Sequence, residues 1–442
     1  MEGLTKIEDL GQPRVVIVGG GFAGLELAKA LAGAAVQVVL IDKHNYHTFQ
    51  PLLYQLATAA LEADSMVSPF RKLIGRLPNV YFRLAEVIAV DTSQRVVETS
   101  IGLMRYDYLV IATGAEPNFL GNPEIQRHAI TLKSIDDAVE LRNTVLANFE
   151  EALQLGDMEK INSLLDFVIV GGGPTGVEIA GALSELRAHV FPKDYKELDF
   201  REMDIHLVQS GPVLLKGMSA HASRKALAYL KEFGVQVWLD RRVKSYDGYT
   251  VTLNTGETLI TQTLIWAAGV SGDPIRGLPA ECFAVGNRYC VDEMNRVVNQ
   301  EHIFAIGDIA AMATPAYPTG HPMVAQPAIQ QGQHLARNIR RALANQPMQP
   351  FRYRDKGAMA TIGRNHAVAD LNVGGRTLHL GGFLAWVVWG LVHVVSLVGF
   401  RNRTMVVLNW FASYISRDKG LRYIIGKTRT PRAPDDGEKA IV

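Results

Sequence analysis

Cysteine is scarce in this chain. Only Cys282 and Cys290 occur in 442 residues, and their spacing matches neither CxxC nor a zinc-ligand pattern. This excludes a disulfide framework and suits a reducing compartment. It also falls short of the thiolates an iron–sulfur cluster takes, so no metal site is expected. Charge of one sign is lacking too. Lys and Arg number 45 against 44 Asp and Glu, so no nucleic-acid partner is expected. The opening MEGLTKIEDLGQP has no apolar core segment and no Arg/Ser-rich amphipathic pattern, so no targeting leader is expected there. The length allows roughly two to four domains and a large core.

Glycine, by contrast, is plentiful and patterned. Pro13–Asp42 reads PRVVIVGGGFAGLELAKALAGAAVQVVLID: a β-branched strand, Gly19, Gly21 and Gly24, a helical stretch, then a second strand ending in an acid. Gly19 permits the sharp turn, Gly21 lets backbone approach a pyrophosphate, and Gly24 lets helix and strand pack closely. The phosphates would meet the free N–H groups and positive dipole end of the helix. Asp42, about twenty residues on, can accept hydrogen bonds from a ribose diol. GxGxxG alone is weak evidence, but strand, glycines, helix, strand and acid arrive here in order. Phe167–Ser184, FVIVGGGPTGVEIAGALS, repeats Val15–Ala32, VVIVGGGFAGLELAKALA, at one constant offset. Gly171, Gly173 and Gly176 form the second cradle, and Gln209 ends its second strand. Two cradles imply two dinucleotides and electron transfer between them.

Several other stretches carry candidate chemistry. Histidines, aromatics and Gln50 crowd the segment after Asp42, where Pro51 biases Gln50 away from helix and Leu52–Leu61 can begin one. This is an ordinary packed loop or a wall beside a cofactor ring. Val80–Val97 and Tyr106–Ala112 read as strands, the latter followed by Thr113 and Gly114, a small-residue turn suited to close approach. Ile130–Leu155 reads as a helical connector. His302–Ile306 reads as a strand closed by Gly307, and Asp308 beyond it could hold a ribityl or ribose hydroxyl or cap a helix. In Met323–Arg341, Gln326 and Gln330 share a helix face, set among apolar neighbours that argue for a site rather than a solvated surface.

Near the C-terminal end, Gly382–Phe400 runs without a formal charge, a transmembrane candidate by length. Trp386, Trp389, His393 and Ser396 nonetheless fall on one side of a helix. The next segment sets Asn402, Asn409, Ser413 and Ser416 against Met405, Leu408, Phe411 and Ile415. Arg401, Arg403, Arg417, Lys419, Arg422, Lys427, Arg429 and Arg432 accompany it, with only Asp418 opposed. A spanning helix, a buried interface and helices lying in the bilayer plane compete. Amphipathicity with a polybasic flank favours the in-plane reading, facing anionic lipid.

The stretches VVIVGGGFAGLELAKAL, HNYHTFQPLLYQLAT, YLVIATGAEPN, VIVGGGPTGVEIAGAL, IFAIGD, VAQPAIQQG and GFRNRTMVVLNW together resemble the type II NADH dehydrogenases (NADH:quinone oxidoreductases) over nearly the whole chain. FQPLLYQLAT, AQPAIQ and GFRNR are the more specific; the others are shared with all two-dinucleotide flavoproteins. The resemblance implies an α/β protein with two Rossmann-like dinucleotide-binding domains and a C-terminal amphipathic membrane-anchoring region. Residues 1–125 and 293–350 would form the FAD domain, 126–292 the NAD(P)H domain and 351–442 the anchor. It further implies a peripheral, monotopic enzyme on the cytoplasmic face of the cell membrane, expected as a homodimer, that passes two electrons from NADH to a membrane quinone without pumping protons. Gly19, Gly21, Gly24 and Asp42 would hold FAD, with Thr113, Gly114, Asp308 and Gln50 beside it. Gly171, Gly173, Gly176 and Gln209 would hold NADH. Glu178 would sit near the nicotinamide and flavin rings, and Gln326 and Gln330 on the quinone side. Glu26 occupies the same motif position as Glu178, so the spacing itself is not catalytic.

One residue departs from the pattern. Gln209 stands where many members carry an acid that binds the NADH ribose and repels a 2′-phosphate, so NADPH is expected to be tolerated, with NADH still able to win because no obvious phosphate-binding Arg follows immediately; Lys216, Arg224 and Lys225 are the candidates. Two other readings compete: a cysteine-dependent relative such as a sulfide:quinone oxidoreductase or disulfide reductase, relying on Cys282 and Cys290, and an NAD-sensing flavoprotein that signals through a protein partner.

Overall fold

The computed structural model describes residues 7, 10–416 and 418–426. They fall into two compact units, each assembled from separated segments. The first comprises the described parts of Met1–Thr48, Val67–Glu116 and Val270–Asp355, and the second those of Phe49–Met66, Pro117–Gly269 and Lys356–Val442. These units cut across the expected boundaries. The segment around Gln50 clusters with the second unit, while Cys282 and Cys290, expected at the end of the second nucleotide domain, belong to the first.

The first unit is built on a five-stranded sheet in the order Ile303–Ala305, Tyr108–Ile111, Arg14–Val18, Gln37–Asp42, Val80–Leu84, with every pairing parallel. Buried on both faces, its central strands are near-continuous apolar runs; Val15, Val16, Ile17 and Val38–Leu40 are fully buried. The chain direction of the sheet order reverses between Arg14–Val18 and Tyr108–Ile111, and a doubly wound sheet binds its ligand at the carboxyl ends of strands beside such a switch. The second unit repeats the plan: Ile130–Thr131, Thr263–Trp266, Phe167–Val170, Ile205–Val208, Gln236–Trp238, again all parallel.

The expected helix over Ile130–Leu155 is a strand followed by a shorter helix. Ile130–Thr131 joins the second sheet, and the helix is Ile135–Ala152. Ser134 accepts from Asp137 N at 3.0 Å, and Asp137 receives Ser134 N and Thr131 Oγ1 in return. This reciprocal capping box fixes the start; Ser134-x-x-Asp137 was its legible signal. Leu52–Leu61 forms only a 3₁₀ turn, Gln50–Leu52, and a helix ending at Ala57, because Ala59 turns left-handed at φ 55°.

In the second unit, the antiparallel strands Gly357–Gly363, His366–Val373 and Arg376–Gly381 pack against the helix Pro174–His189. Gly181 makes this possible: a Cβ there would collide with Ile362 O. The chain then forms two helices, Phe383–Ser396 and Phe400–Ser416, separated where Gly399 takes φ 92°. The Arg403 guanidinium donates to Val395 O and Leu397 O, each at 2.8 Å, capping the first helix's carboxyl end. Among the described residues, no helix is long and apolar enough to cross a membrane.

The polar stripes are only partly turned inward: Asn409 and Ser413 are half-buried, while Ser396 and Ser416 are exposed. Trp389, Asn402 and Val406 are buried, while Leu384, Leu391, Val395, Leu408, Phe411 and Ile415 are 55–67% exposed. The basic flank is less free than the sequence implies. Lys419 Nζ lies 3.5 Å from Glu185, and Arg422 Nε 2.5 Å from Asp194. Asp418 is therefore not the only acid opposed to it. Arg417, Lys427, Arg429 and Arg432 lie outside the described residues.

Candidate functional site: two nucleotide cradles

The first cradle leaves its strand at Gly19 (φ 99°), where a Cβ would strike Ala112 O; a Cβ on Gly24 would strike Gly19 O. The helix Phe22–Ala30 therefore sits hard against the sheet end. No side chain caps it, and the space over Gly21 is open, so its first N–H groups are available to an anion. Asp42 Oδ2 accepts Gly20 N at 2.6 Å and Oδ1 accepts His44 N at 2.7 Å. Burial raises the Asp42 pKa, and those two N–H donors oppose the rise.

His47, passed over among the crowded histidines, completes this wall. Its Nδ1 donates to Gly20 O at 3.0 Å, which assigns the proton to Nδ1, and burial lowers its pKa. Nε2 is then a buried acceptor with no partner among the described residues. A buried acceptor is costly unless paired, and a ligand hydroxyl or amine would satisfy it. The open cradle and this orphaned atom fit a dinucleotide such as FAD. Farther round the sheet end, Thr113 Oγ1 donates to Asp273 O at 2.7 Å, and Gly114 takes φ 81° with open space over it. Asp308 lies in the turn Gly307–Ile309 and its charge favours the protonated form of buried Arg288.

Gln326 and Gln330 lie on the helix Ala325–Leu343. Gln330 is occupied: its carboxamide donates to Arg354 O at 2.9 Å and accepts Arg354 N at 3.0 Å. Gln331, not singled out in the sequence, is buried and accepts Gly307 N at 2.7 Å, fixing the turn that carries Asp308.

The second cradle reproduces the first atom for atom in its close approaches. A Cβ on Gly171 (φ 113°) would strike Ala267 O, one on Gly176 would strike Gly171 O, and the space over Gly173 is open. The helix Pro174–His189 also starts without a side-chain cap, with proline in its first turn. Gln209 Oε1 accepts Gly172 N at 2.9 Å, the bond that Asp42 makes in the first cradle. These residues fit a second dinucleotide.

Glu178 lies one turn into that helix and is 8% exposed. Burial raises its pKa to about 8. Thr361 N reaches its Oε1 only at 3.5 Å. The Trp389 indole N–H is near enough to favour the charged form slightly, yet it falls short of hydrogen-bond geometry and is buried with no hydrogen-bond partner among the described residues. Glu26, its counterpart in the first cradle, pairs with Lys29 at 3.5 Å and accepts from Gln333 at 3.1 Å at the surface.

A chain of rings and amides leads from Glu178 to the terminal helices. Tyr54, with a pKa raised well above its usual value by burial and then by the Glu178 charge, accepts from Gln55 Nε2 at 2.7 Å. Gln55 Oε1 accepts Trp410 Nε1 at 2.7 Å, and Trp389 stacks on His393 with centroids 4.3 Å apart. Gln50, in the same unit, donates to Lys133 O at 3.3 Å. Both cysteines are free, and burial raises the Cys282 pKa, so its reactive thiolate is disfavoured. No cluster of metal-ligating side chains occurs among the described residues.

Two uncapped cradles at sheet switch points define a two-dinucleotide oxidoreductase, and residues 13–332 match the pyridine nucleotide-disulphide oxidoreductase family. Residues 356–418 match the NDH2 C-terminal domain. The chain is 34% identical to a type II NADH:quinone oxidoreductase of Mycobacterium tuberculosis, over 92% of this chain and 89% of that one. It is 30% identical to an internal alternative NAD(P)H-ubiquinone oxidoreductase of Arabidopsis thaliana, over 94% and 86%. The fold is similar to a structure of NDH2 from Plasmodium falciparum in complex with NADH, with a TM-score of 0.84 at 21% identity, covering 94% of this chain and all of that one. The chain belongs to the type II NADH:quinone oxidoreductase family.

Proposed function

We propose that this chain oxidises NADH and reduces a quinone by two electrons without pumping protons, with FAD in the first cradle and NADH in the second. The observation that carries this reading is the duplicated cradle, each copy open over its middle glycine and closed by a strand-end acceptor. When bound, FAD supplies the two-electron carrier between nicotinamide and quinone. Gly19, Gly21, Gly24 and Asp42 hold its pyrophosphate and ribose, His47 Nε2 accepts from it, and Thr113, Gly114 and Asp308 line it. Gly171, Gly173, Gly176 and Gln209 hold the nicotinamide nucleotide. By this assignment residues 1–125 and 293–350 serve FAD and 126–292 serve the nicotinamide nucleotide.

Glu178, protonated below about pH 8, holds the proton that quinone reduction consumes. Gln326 donates to quinone. Gln330, clamped on Arg354, positions its helix instead. Gln50, whose carboxamide donates one N–H to Lys133 O, offers the cofactor its oxygen and its second N–H. The terminal helices lay their exposed apolar faces into the bilayer, peripheral on the cytoplasmic side, with Arg401 among the basic residues left for anionic lipid. By the same assignment residues 351–442 form the membrane-anchoring region, with Phe383–Ser396 and Phe400–Ser416 as the part that meets lipid; the protein is a homodimer, and a monomer mass on sedimentation in detergent would contradict that.

Reconstitution into quinone-loaded liposomes with an entrapped pH dye tests the reaction. NADH should reduce the quinone with no uncoupler-sensitive change of lumenal pH; a sustained lumenal change, or no quinone reduction, contradicts it. The cysteine-dependent alternative predicts that Cys282→Ser with Cys290→Ser abolishes turnover. The double variant is expected to keep it.

A further inference from the structure

Past the helix Phe400–Ser416, residues 418–426 form a strap laid over the second unit. Asp418 N donates to Ser416 Oγ at 3.1 Å, so the strap leaves directly from the helix end. Three helices receive it. Lys419 pairs with Glu185 on Pro174–His189 at 3.5 Å, and Arg422 with Asp194 on Phe191–Asp194 at 2.5 Å. The third is Ile135–Ala152, which presents Arg142 and Asn143, both buried.

Asn143 and Arg142 hold the strap by contacts that are not ion pairs. The Asn143 carboxamide donates to Ile425 O at 2.6 Å and accepts Ile425 N at 3.4 Å, gripping the backbone of one residue as a neighbouring strand does. The Arg142 guanidinium lies 4.8 Å over the Tyr423 ring, a cation–π contact that gains from desolvation. Both side chains are buried beneath the strap, so a variant that removes one partner leaves the other unsatisfied.

This grip bears on Glu178 by two routes. Arg142 and Arg422 line one small cavity with Ala57, Thr58 and Ala59, the residues close behind Tyr54 and Gln55. The strap also fixes the end of the helix that carries Trp410, whose indole donates to Gln55 and whose ring centroid is 5.4 Å from that of Trp389. From the elements packed on it, Glu178 is faced by Tyr54, Trp389 and Thr361 N. Glu185, two turns farther along the same helix, is paired with Lys419 of the strap.

We propose that Arg142 and Asn143 are positioning residues of the quinone half-reaction: by holding the strap they keep Trp410 and the Tyr54–Gln55 pair seated, and so keep water from Glu178. This rests on the reading of Glu178 as the holder of the proton that quinone reduction consumes.

Anaerobic stopped flow on the FAD-loaded full-length protein, in one detergent, reads the two half-reactions separately across pH. Asn143→Leu and Tyr423→Ala attack the grip from its two sides. Tyr423 is exposed, so its variant carries the test if Asn143→Leu fails to fold. Each should slow flavin reoxidation by a soluble quinone on the order of tenfold and leave flavin reduction by NADH unchanged. Each should also move the fall of the quinone step with pH below about 8, because water reaching a carboxyl lowers its pKa. The double variant should be no slower than the slower single, since both act through one strap. Arg142→Lys, which keeps a cation over the ring, should exceed Arg142→Met in the quinone step. Hydrogen exchange gives a readout without turnover: Asn143→Leu should speed exchange across Phe400–Ser416 and leave Phe167–Val170 protected. Equal slowing of both half-reactions, additive losses in the double variant, or a quinone step with wild-type rate and pH fall overturns the inference. Glu178→Gln, run alongside, separates the two readings. If it loses the fall while the strap variants keep it at the wild-type pH, the strap inference alone fails; if it retains the wild-type fall, the reading of Glu178 fails and the inference with it.

Discussion

Glu26 and Glu178 hold the same place in two copies of one motif, and their surroundings give them different chemistry. Glu26 is a surface partner of Lys29 and Gln333; Glu178 is buried and stays protonated to about pH 8. The motif was legible in the sequence, but the burial was not, because Thr361 and Trp389 reach Glu178 from a strand and a helix far along the chain. Three predictions belong to this residue. Glu178→Gln should slow flavin reoxidation by quinone more than flavin reduction by NADH, as measured by anaerobic stopped flow, and equal slowing would count against a proton-holding role. Wild-type quinone reduction should fall as pH rises through about 8, and the variant should lose that step. The stability linkage spans a wider window that ends at the same pH. The native state keeps the Glu178 proton above its usual pKa near 4.5, so its contribution to stability declines as pH rises from there to about 8. Glu178→Gln should therefore show a shallower fall in Tm across that range. Asp166, with a pKa raised to about 7 mainly by burial, contributes a decline of its own in both proteins.

At the scale of single elements, each cradle depends on one glycine whose missing Cβ brings helix to strand. Gly24→Ala and Gly176→Ala both put a methyl group onto backbone oxygen. Overpacking of this kind costs about 1–3 kcal/mol, so nucleotide affinity should fall roughly ten- to hundredfold. The losses should separate: FAD retention for Gly24→Ala, NADH binding with FAD retained for Gly176→Ala. Flavin content and NADH titration check both, and loss of FAD from each variant alike would refute the assignment. These glycines were readable from spacing because steric exclusion is local. Gln331 and His47 were not, since one is placed by its bond to Gly307 N and the other by its bond to Gly20 O, both distant in sequence. The terminal helices were legible as two-faced, but not the direction in which they face. In the structure their apolar stripes point outward, and Lys419 and Arg422 are drawn into ion pairs with Glu185 and Asp194. Leu391→Glu with Phe411→Glu should cut co-sedimentation with anionic liposomes while leaving the circular dichroism spectrum unchanged; full retention on the liposomes would remove the anchor from these faces.

Over the whole molecule, the sequence displayed the repeat and the strand-glycine-helix order of each cradle, so the doubly wound character of both sheets could be read directly. The grouping of segments could not. Phe49–Met66 packs with Pro117–Gly269 and the described part of Lys356–Val442, and Val270–Asp355 returns to the first unit, because long-range packing, rather than any linker composition, decides the partition. The central claim is that one chain carries two nucleotide sites that work in series. Anaerobic double mixing tests it most directly, with the visible absorbance of the FAD-loaded protein followed first against NADH and then against a soluble quinone. The account predicts that NADH bleaches the flavin and that quinone restores it with one quinone consumed per NADH. A protein that binds no FAD, or whose bleached flavin quinone fails to restore, would contradict it.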